Sequence, residues 1–188
     1  MNNIKGKRKK IYEHLHTLHI HRKLVREFCF KCGLYKQGMI HDLSKYSLEE
    51  LLPSIKYYQG NRSPLAYEKE LKGYSEAWLR HKGRNKHHWE YWYDFIVDRF
   101  QPIEMPVPYL VESICDRIAA SKVYLKDKYT DASPLEYLLT KDVSEYMHPN
   151  TENEFKRILT YLKDNGEEKT FKMLREMVQE DKKRRHKD

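Results

Sequence analysis

Apolar residues recur at spacings of three and four along most of the chain, with no alternating strand pattern between turn signals. In the first long segment Ile11, Leu15, Leu18, Val25, Phe28 and Cys32 fall on one helical stripe. A second stripe runs Val107, Val111, Ile114, Ile118 and Leu125. The pattern predicts an all-α, single-domain helical bundle. Helices are expected near 8–34, 37–45, 47–58, 64–82, 86–99, 107–128, 133–146 and 151–181, the last breaking at Gly166. Three Ser/Thr-x-x-Glu sequences read as capping boxes, in which two side chains satisfy orphan amides at a helix start. They are Ser47 with Glu50, Ser133 with Glu136 and Thr151 with Glu154. Pro64 and Pro134 fit a first helical turn, where no N–H is missed.

Length supports this reading, since 188 residues can bury a proper core in one domain. No apolar run approaches the 18 or so residues of a membrane span, and the charged start lacks the apolar stretch of a signal peptide. Three cysteines do not suggest a disulfide scaffold, so a cytoplasmic protein is expected. Cys29 and Cys32 have no second pair with which to close a zinc site, and at helical spacing they read as small core residues.

Charge changes the picture only when it is located. The net charge of +8 invites a nucleic-acid reading. Residues 1–10 carry +5 and residues 182–188 carry +4, so residues 11–181 sum to −1. Both basic ends are expected to fray, leaving 11–181 as the folded domain. Nucleic-acid binding is therefore possible but not favoured. Inside the body, Arg80 to His88 holds four Lys/Arg and no acid.

Ten histidines supply the candidate chemistry. His21 fills a gap in the first apolar stripe, His14 lies near it, and His16 and His19 point away. His41-Asp42 follows Gly38-Met39-Ile40 and precedes Leu43-Ser44-Lys45. An imidazole and a carboxylate that reach one ion from a turn suit Mn, Fe, Ni, Zn or Mg better than a thiolate-seeking metal. His81, His87 and His88 form a third group, with Asn85 placed to cap a following helix and that helix's start offered to an anion.

His21, the His41-Asp42-Leu43-Ser44-Lys45 stretch and Asp116 within Ile114-Cys115-Asp116-Arg117-Ile118-Ala119-Ala120 resemble the HD-domain metal-dependent phosphohydrolase superfamily. The likeness spans roughly residues 15–125. It implies an all-helical fold in which His21, His41, Asp42 and Asp116 hold a divalent metal ion. It also implies hydrolysis of a small phosphorylated substrate, with nucleotide-like compounds favoured. Lys45 or the Arg80–His88 loop would offset phosphate charge, with Arg80, Arg84 and His87 as phosphate contacts. His81 or His88 would protonate the leaving oxygen. Some members add histidines for a second metal. Here His81, His87 and His88 are bunched within eight residues, which argues against a two-metal site. The surrounding Trp-x-x-His and Asn-x-His-His-Trp pattern resembles a small HD-like branch more than any well-characterised hydrolase. The alternatives are an HD-like metal-binding sensor without hydrolase activity and an α-helical nucleic-acid-binding protein.

Overall fold

The structure is a computed structural model that describes residues 2–140 and 142–186. Eight helices make up most of the described fold: α1 (Asn2–Lys31), α2 (Tyr35–Ile40), α3 (Leu48–Tyr57), α4 (Pro64–Lys72), α5 (Glu76–Arg84), α6 (Val107–Leu125), α7 (Ser133–Leu139) and α8 (Pro149–Arg185). The all-α expectation holds. No helix of the described residues is long and apolar enough to cross a membrane.

The core forms where α6 lies between α1 and α8. Val25, Phe28, Cys29 and Cys32 of α1 meet Val111, Ile114, Cys115 and Ile118 of α6 in one buried cluster. The far side of α6 is covered by Phe155, Ile158, Leu159 and Leu162, then by Phe171, Leu174 and Val178 beyond a break in α8. That break is at Gly166, whose left-handed φ of 81° is open to glycine at little steric cost. The predicted stripes are thus in the core, although Ile11 and Leu125 lie beyond the packed part and are exposed. The three cysteines are free and buried, as expected for core residues.

Several local expectations fail for identifiable reasons. The predicted 64–82 helix is two, because Gly73 turns left-handed and Ser75 caps α5 by accepting from Trp78 N–H. No helix spans 86–99. Tyr93–Ile96 (β1) and Arg99–Pro102 (β2) form an antiparallel hairpin around Val97-Asp98. Aromatic and β-branched residues favour strands. Here Phe100 stacks on Tyr93 and meets Phe95 edge-on, cross-strand contacts that hold the hairpin.

None of the three predicted capping boxes forms. Ser47 precedes α3 without a side-chain cap bond. The Ser133 hydroxyl instead accepts from Thr130 N–H, and Thr151 lies inside α8, accepting from Met105 N–H. The ends also differ from expectation. Residues 2–10 are the opening turns of α1, and α8 runs to Arg185, with Lys182 donating to the Gly33 carbonyl. Met1, Lys187 and Asp188 lie outside the described residues.

One close approach bears on function. A Cβ at Gly38 would lie 2.9 Å from Cys29 Cβ, 3.1 Å from Phe30 Cδ1 and 3.2 Å from the Arg26 carbonyl. Helix α2 can rest on α1 only because position 38 has no side chain, and α2 leads directly into His41. Gly38→Ala is therefore expected to cost roughly 1–3 kcal/mol, as overpacking does. Chemical denaturation would read this as a lowered midpoint at unchanged slope. An unchanged midpoint would show that the helices part easily here.

Candidate metal centre

The centre begins with a sharp turn. Helix α2 ends at Ile40, His41 is extended, and Asp42 is left-handed with φ 55° and ψ 21°. Asp is among the few non-glycine residues that adopt this conformation readily. The kink sends two adjacent side chains inward together, and both His41 and Asp42 are buried. Arg22 of α1 fixes the turn by donating from Nε to the His41 carbonyl at 2.8 Å.

Four other segments converge on this turn. His21 comes from α1, and Glu112 and Asp116 come from successive turns of α6. His81 comes from α5, which stops at Asn85. Asn85 folds back, its Nδ2 donating to the His81 carbonyl at 2.8 Å and to Ser44 Oγ at 3.0 Å. The reversal brings His87 and His88 against His81, with ring centroids 6.2 and 4.8 Å away.

These side chains form two donor groups that share Asp42. His21, His41, Asp42 and Asp116 make the first; Asp42, His81, His87 and His88 make the second. Within each group one ligand atom per residue lies within 4.8 Å of the others. The two Asp42 oxygens divide between them. Oδ2 lies 3.3 Å from His41 Nε2 and 3.7 Å from His21 Nε2. Oδ1 lies 3.3 Å from His81 Nε2 and 3.5 Å from His87 Nε2.

The Nε2 atoms of His21, His41, His81, His87 and His88 are all buried and make no well-directed hydrogen bond, and the same holds for Asp42 Oδ1. His21 Nε2 lies 3.0 Å from Asp116 Oδ1, its fellow member of the first group. Buried polar atoms are almost always paired, so a convergent set of orphans needs an explanation. The outer nitrogens of three of the rings are paired. His41 Nδ1 is 2.9 Å from Glu112 Oε1 and His87 Nδ1 is 3.2 Å from the same oxygen. His81 Nδ1 is 2.8 Å from Glu50 Oε2. A carboxylate on Nδ1–H fixes the tautomer that leaves the Nε2 lone pair free, as on metal-binding histidines. A third grouping, His41, His87 and Glu112, is this outer side of the same rings. The arrangement fits metal ions.

A model of a family of unknown function, DUF5662, matches residues 10–161. The chain belongs to DUF5662. No curated protein and no solved structure gives a match. The stretch that matches DUF5662 contains every donor from His21 to Asp116 and ends within α8, before its break at Gly166.

The centre has a strong electrostatic bias. Four carboxylates, Asp42, Glu50, Glu112 and Asp116, face five imidazoles and the Lys45 ammonium. With neutral imidazoles, four negative charges against one positive leave −3. Burial opposes ionisation of Asp42, yet His41, Lys45 and His81 hold its carboxyl well below the usual range. Asp116, also opposed by burial, is held well down by His21 and His41. Burial works against charge on His41, but Asp42, Asp116 and Glu112 outweigh it and raise its pKa well above the ordinary value. His87 is pushed down by burial and then by His41, and His88 by burial and then by His87 and His81. Lys45 sits directly on Asp42, where burial is outweighed by Asp42 and Asp116 and its proton is held firmly. These retained protons stand where the carboxylates call for positive charge.

The four residues predicted to hold one ion, His21, His41, Asp42 and Asp116, are brought together. The third histidine group takes a different place. His81 and His88, expected as proton donors, and His87, expected as a phosphate contact, form the second donor group around Asp42. Bunching in sequence is no obstacle to this, because the chain reverses at Asn85 instead of starting a helix there. Arg80 and Arg84, one helical turn apart, do not join the group. Arg80 pairs with Glu49 at 3.2 Å, and Arg84 is exposed at the end of α5. The cation beside the donors is Lys45. His14, also on the inner stripe of α1, is buried against Tyr58 with ring centroids 5.1 Å apart. Burial, then Lys45 and Lys10, lower its pKa to about 4.

Glu112 and Glu50 were not legible as site residues. Glu50 resembles half of a capping box, and Glu112 sits mid-helix with no motif around it. Only the position of Glu112, one turn before Asp116, offered a signal.

Proposed function

We propose that this protein is a two-metal phosphohydrolase acting on a small phosphate ester, nucleotide-like compounds included. The observation that carries the metal part is the ring of five buried, unpartnered imidazole Nε2 atoms divided between the two oxygens of Asp42. An imidazole-rich set of this kind suits Mn, Fe, Ni or Zn better than Mg, which prefers oxygen ligands and keeps its waters. Charge favours two ions over one. A single divalent ion would leave −1 of the original −3, whereas two leave +1, a field that attracts a phosphate.

His21, His41, Asp42 and Asp116 would hold the first ion, and Asp42, His81, His87 and His88 the second. Ions so held would supply Lewis acidity and a water acidified enough to act near neutral pH. The chain's own residues do the rest. Glu112 and Glu50 keep the ring tautomers, and the half-buried Trp78, 4.8 Å from His88 by ring centroids, screens that side of the rings from bulk water. Asp116 and Lys45, with side chains 18% and 28% exposed, mark the side from which a substrate reaches the centre. There Lys45 would offset charge growing on the phosphoryl oxygens. In the overall reaction water's oxygen bonds to phosphorus, the bond to the leaving oxygen breaks, and that oxygen takes a proton. The likeness to HD-domain phosphohydrolases in the His41–Lys45 stretch supports this choice of reaction.

The test is a panel of Mn²⁺, Fe²⁺, Ni²⁺ and Zn²⁺ against phosphomonoesters, phosphodiesters and nucleotides. Metal-dependent release of phosphate is expected, and Lys45→Ala should lower kcat by ~100-fold or more while leaving metal content unchanged. Metal uptake without turnover of any substrate would overturn the hydrolase reading in favour of a metal-bound sensor.

A further inference from the structure

Glu112 serves both halves of the centre with one oxygen. Its Oε1 is 2.9 Å from His41 Nδ1 and 3.2 Å from His87 Nδ1, and the residue is 5% exposed. His41 belongs to the first donor group and His87 to the second. The two rings lie 4.3 Å apart by centroids. Each ring therefore turns its unpartnered Nε2 toward Asp42 and is held from behind by Glu112 at Nδ1. Glu50 differs in kind, since among the imidazoles it contacts only His81.

We infer that Glu112 is a positioning residue that makes the two ion sites load as a pair. This rests on the two-metal reading above. An ion on His41 fixes that ring and, through its Nδ1–H, the Glu112 carboxylate. A fixed Glu112 in turn holds His87 in the tautomer and orientation the second ion needs. The ordering cost met by the first ion is then not met again by the second, which is positive cooperativity without any large movement. Ion–ion repulsion opposes this, but the charge left after the first ion is still negative, so the second is drawn in as well.

The experiment is native mass spectrometry of the full chain titrated with Zn²⁺ or Mn²⁺. At one equivalent per chain the wild type is expected as a mixture of ion-free and two-ion species, with the one-ion species a minority. Glu112→Gln removes the charge while keeping the shape. It is expected to weaken both ions by roughly 10–100-fold, the usual effect of losing such a partner, and to make the one-ion species dominant. A residue that only supported the fold would lower thermal stability and leave pairwise loading intact, so the loading pattern is the readout. Pairwise loading retained in Glu112→Gln would overturn the inference. Should that variant not fold, the wild type alone decides, because two ions taken up one after the other would refute coupling while leaving the two-metal centre standing. Wild-type protein that takes up no ion would remove the metal centre and the coupling together.

Discussion

Asp42→Asn should strip both ions at once. Asn keeps the size of the side chain and tolerates the left-handed backbone at this position, so the turn itself should survive. What changes is the chemistry on the two sides of the side chain. Oδ2 faces His41 and His21, and Oδ1 faces His81 and His87, all within 3.7 Å. An amide offers one oxygen and one NH₂, and the NH₂ cannot act as a ligand. One donor group therefore loses a ligand outright, and the other loses the charge that held its cation. Each affinity should fall by more than ~100-fold, beyond what loss of an outer partner alone produces. Asp116 belongs to the first group and not to the second, so Asp116→Asn, with metal in excess, should keep the second ion. Elemental analysis after desalting checks this. Two equivalents in wild type, about one in Asp116→Asn and almost none in Asp42→Asn are expected. A normal complement in Asp42→Asn would rule out a bridging role for this carboxylate.

Removal of metal should cost the protein much of its stability. Ions bound only by the folded state stabilise it by RT ln(1 + [L]/Kd), about 2.7 kcal/mol at a hundredfold excess over Kd. Two such ions contribute roughly 5 kcal/mol, a large share of a typical domain's ~5–15 kcal/mol. A chain of this size shifts by about 2–4 °C per kcal/mol, so a strong chelator should lower Tm by roughly 10–20 °C. Without ions the centre keeps its net −3, relieved only by protons held on its imidazoles such as His41, which adds to the loss. Asp42→Asn should start near the chelated value and respond little to chelator. Scanning calorimetry with and without EDTA makes the comparison. A wild-type shift below ~2 °C would mean that the centre does not hold ions tightly in solution.

The sequence was most informative where chemistry and periodicity agreed. His21 sat on an apolar stripe, His41-Asp42 lay within the short predicted 37–45 helix beside Leu43-Ser44-Lys45, and Asp116 stood among small residues on a helix, and these four do meet. Periodicity could not show that Asn85 reverses the chain. A turn made by a side-chain amide bonding to His81 and Ser44 depends on tertiary partners that have no fixed spacing. The capping boxes failed for a related reason. Ser133 and Thr151 hydroxyls have several acceptable N–H donors, and packing chose Thr130 and Met105. Glu50 left its apparent box to hold His81. The hairpin was missed because its apolar residues face solvent on both sides, so no burial pattern marks them. Glu112 had no local signature, since its role depends on two rings 71 and 25 positions away.

Asp42 also has a consequence for the chain as a polymer. Its two oxygens gather side chains from α1, α5, the loop after Asn85 and α6, so ions bound there would join residues 21 to 116 at one point. In the unfolded chain that knot is open, and closing a loop of about 100 residues is costly in configurational freedom, as it is for a disulfide. This chain has no disulfide to close such loops. Its ion centre would act as a reversible staple, tying the N-terminal helix to the middle of the core for as long as metal is present.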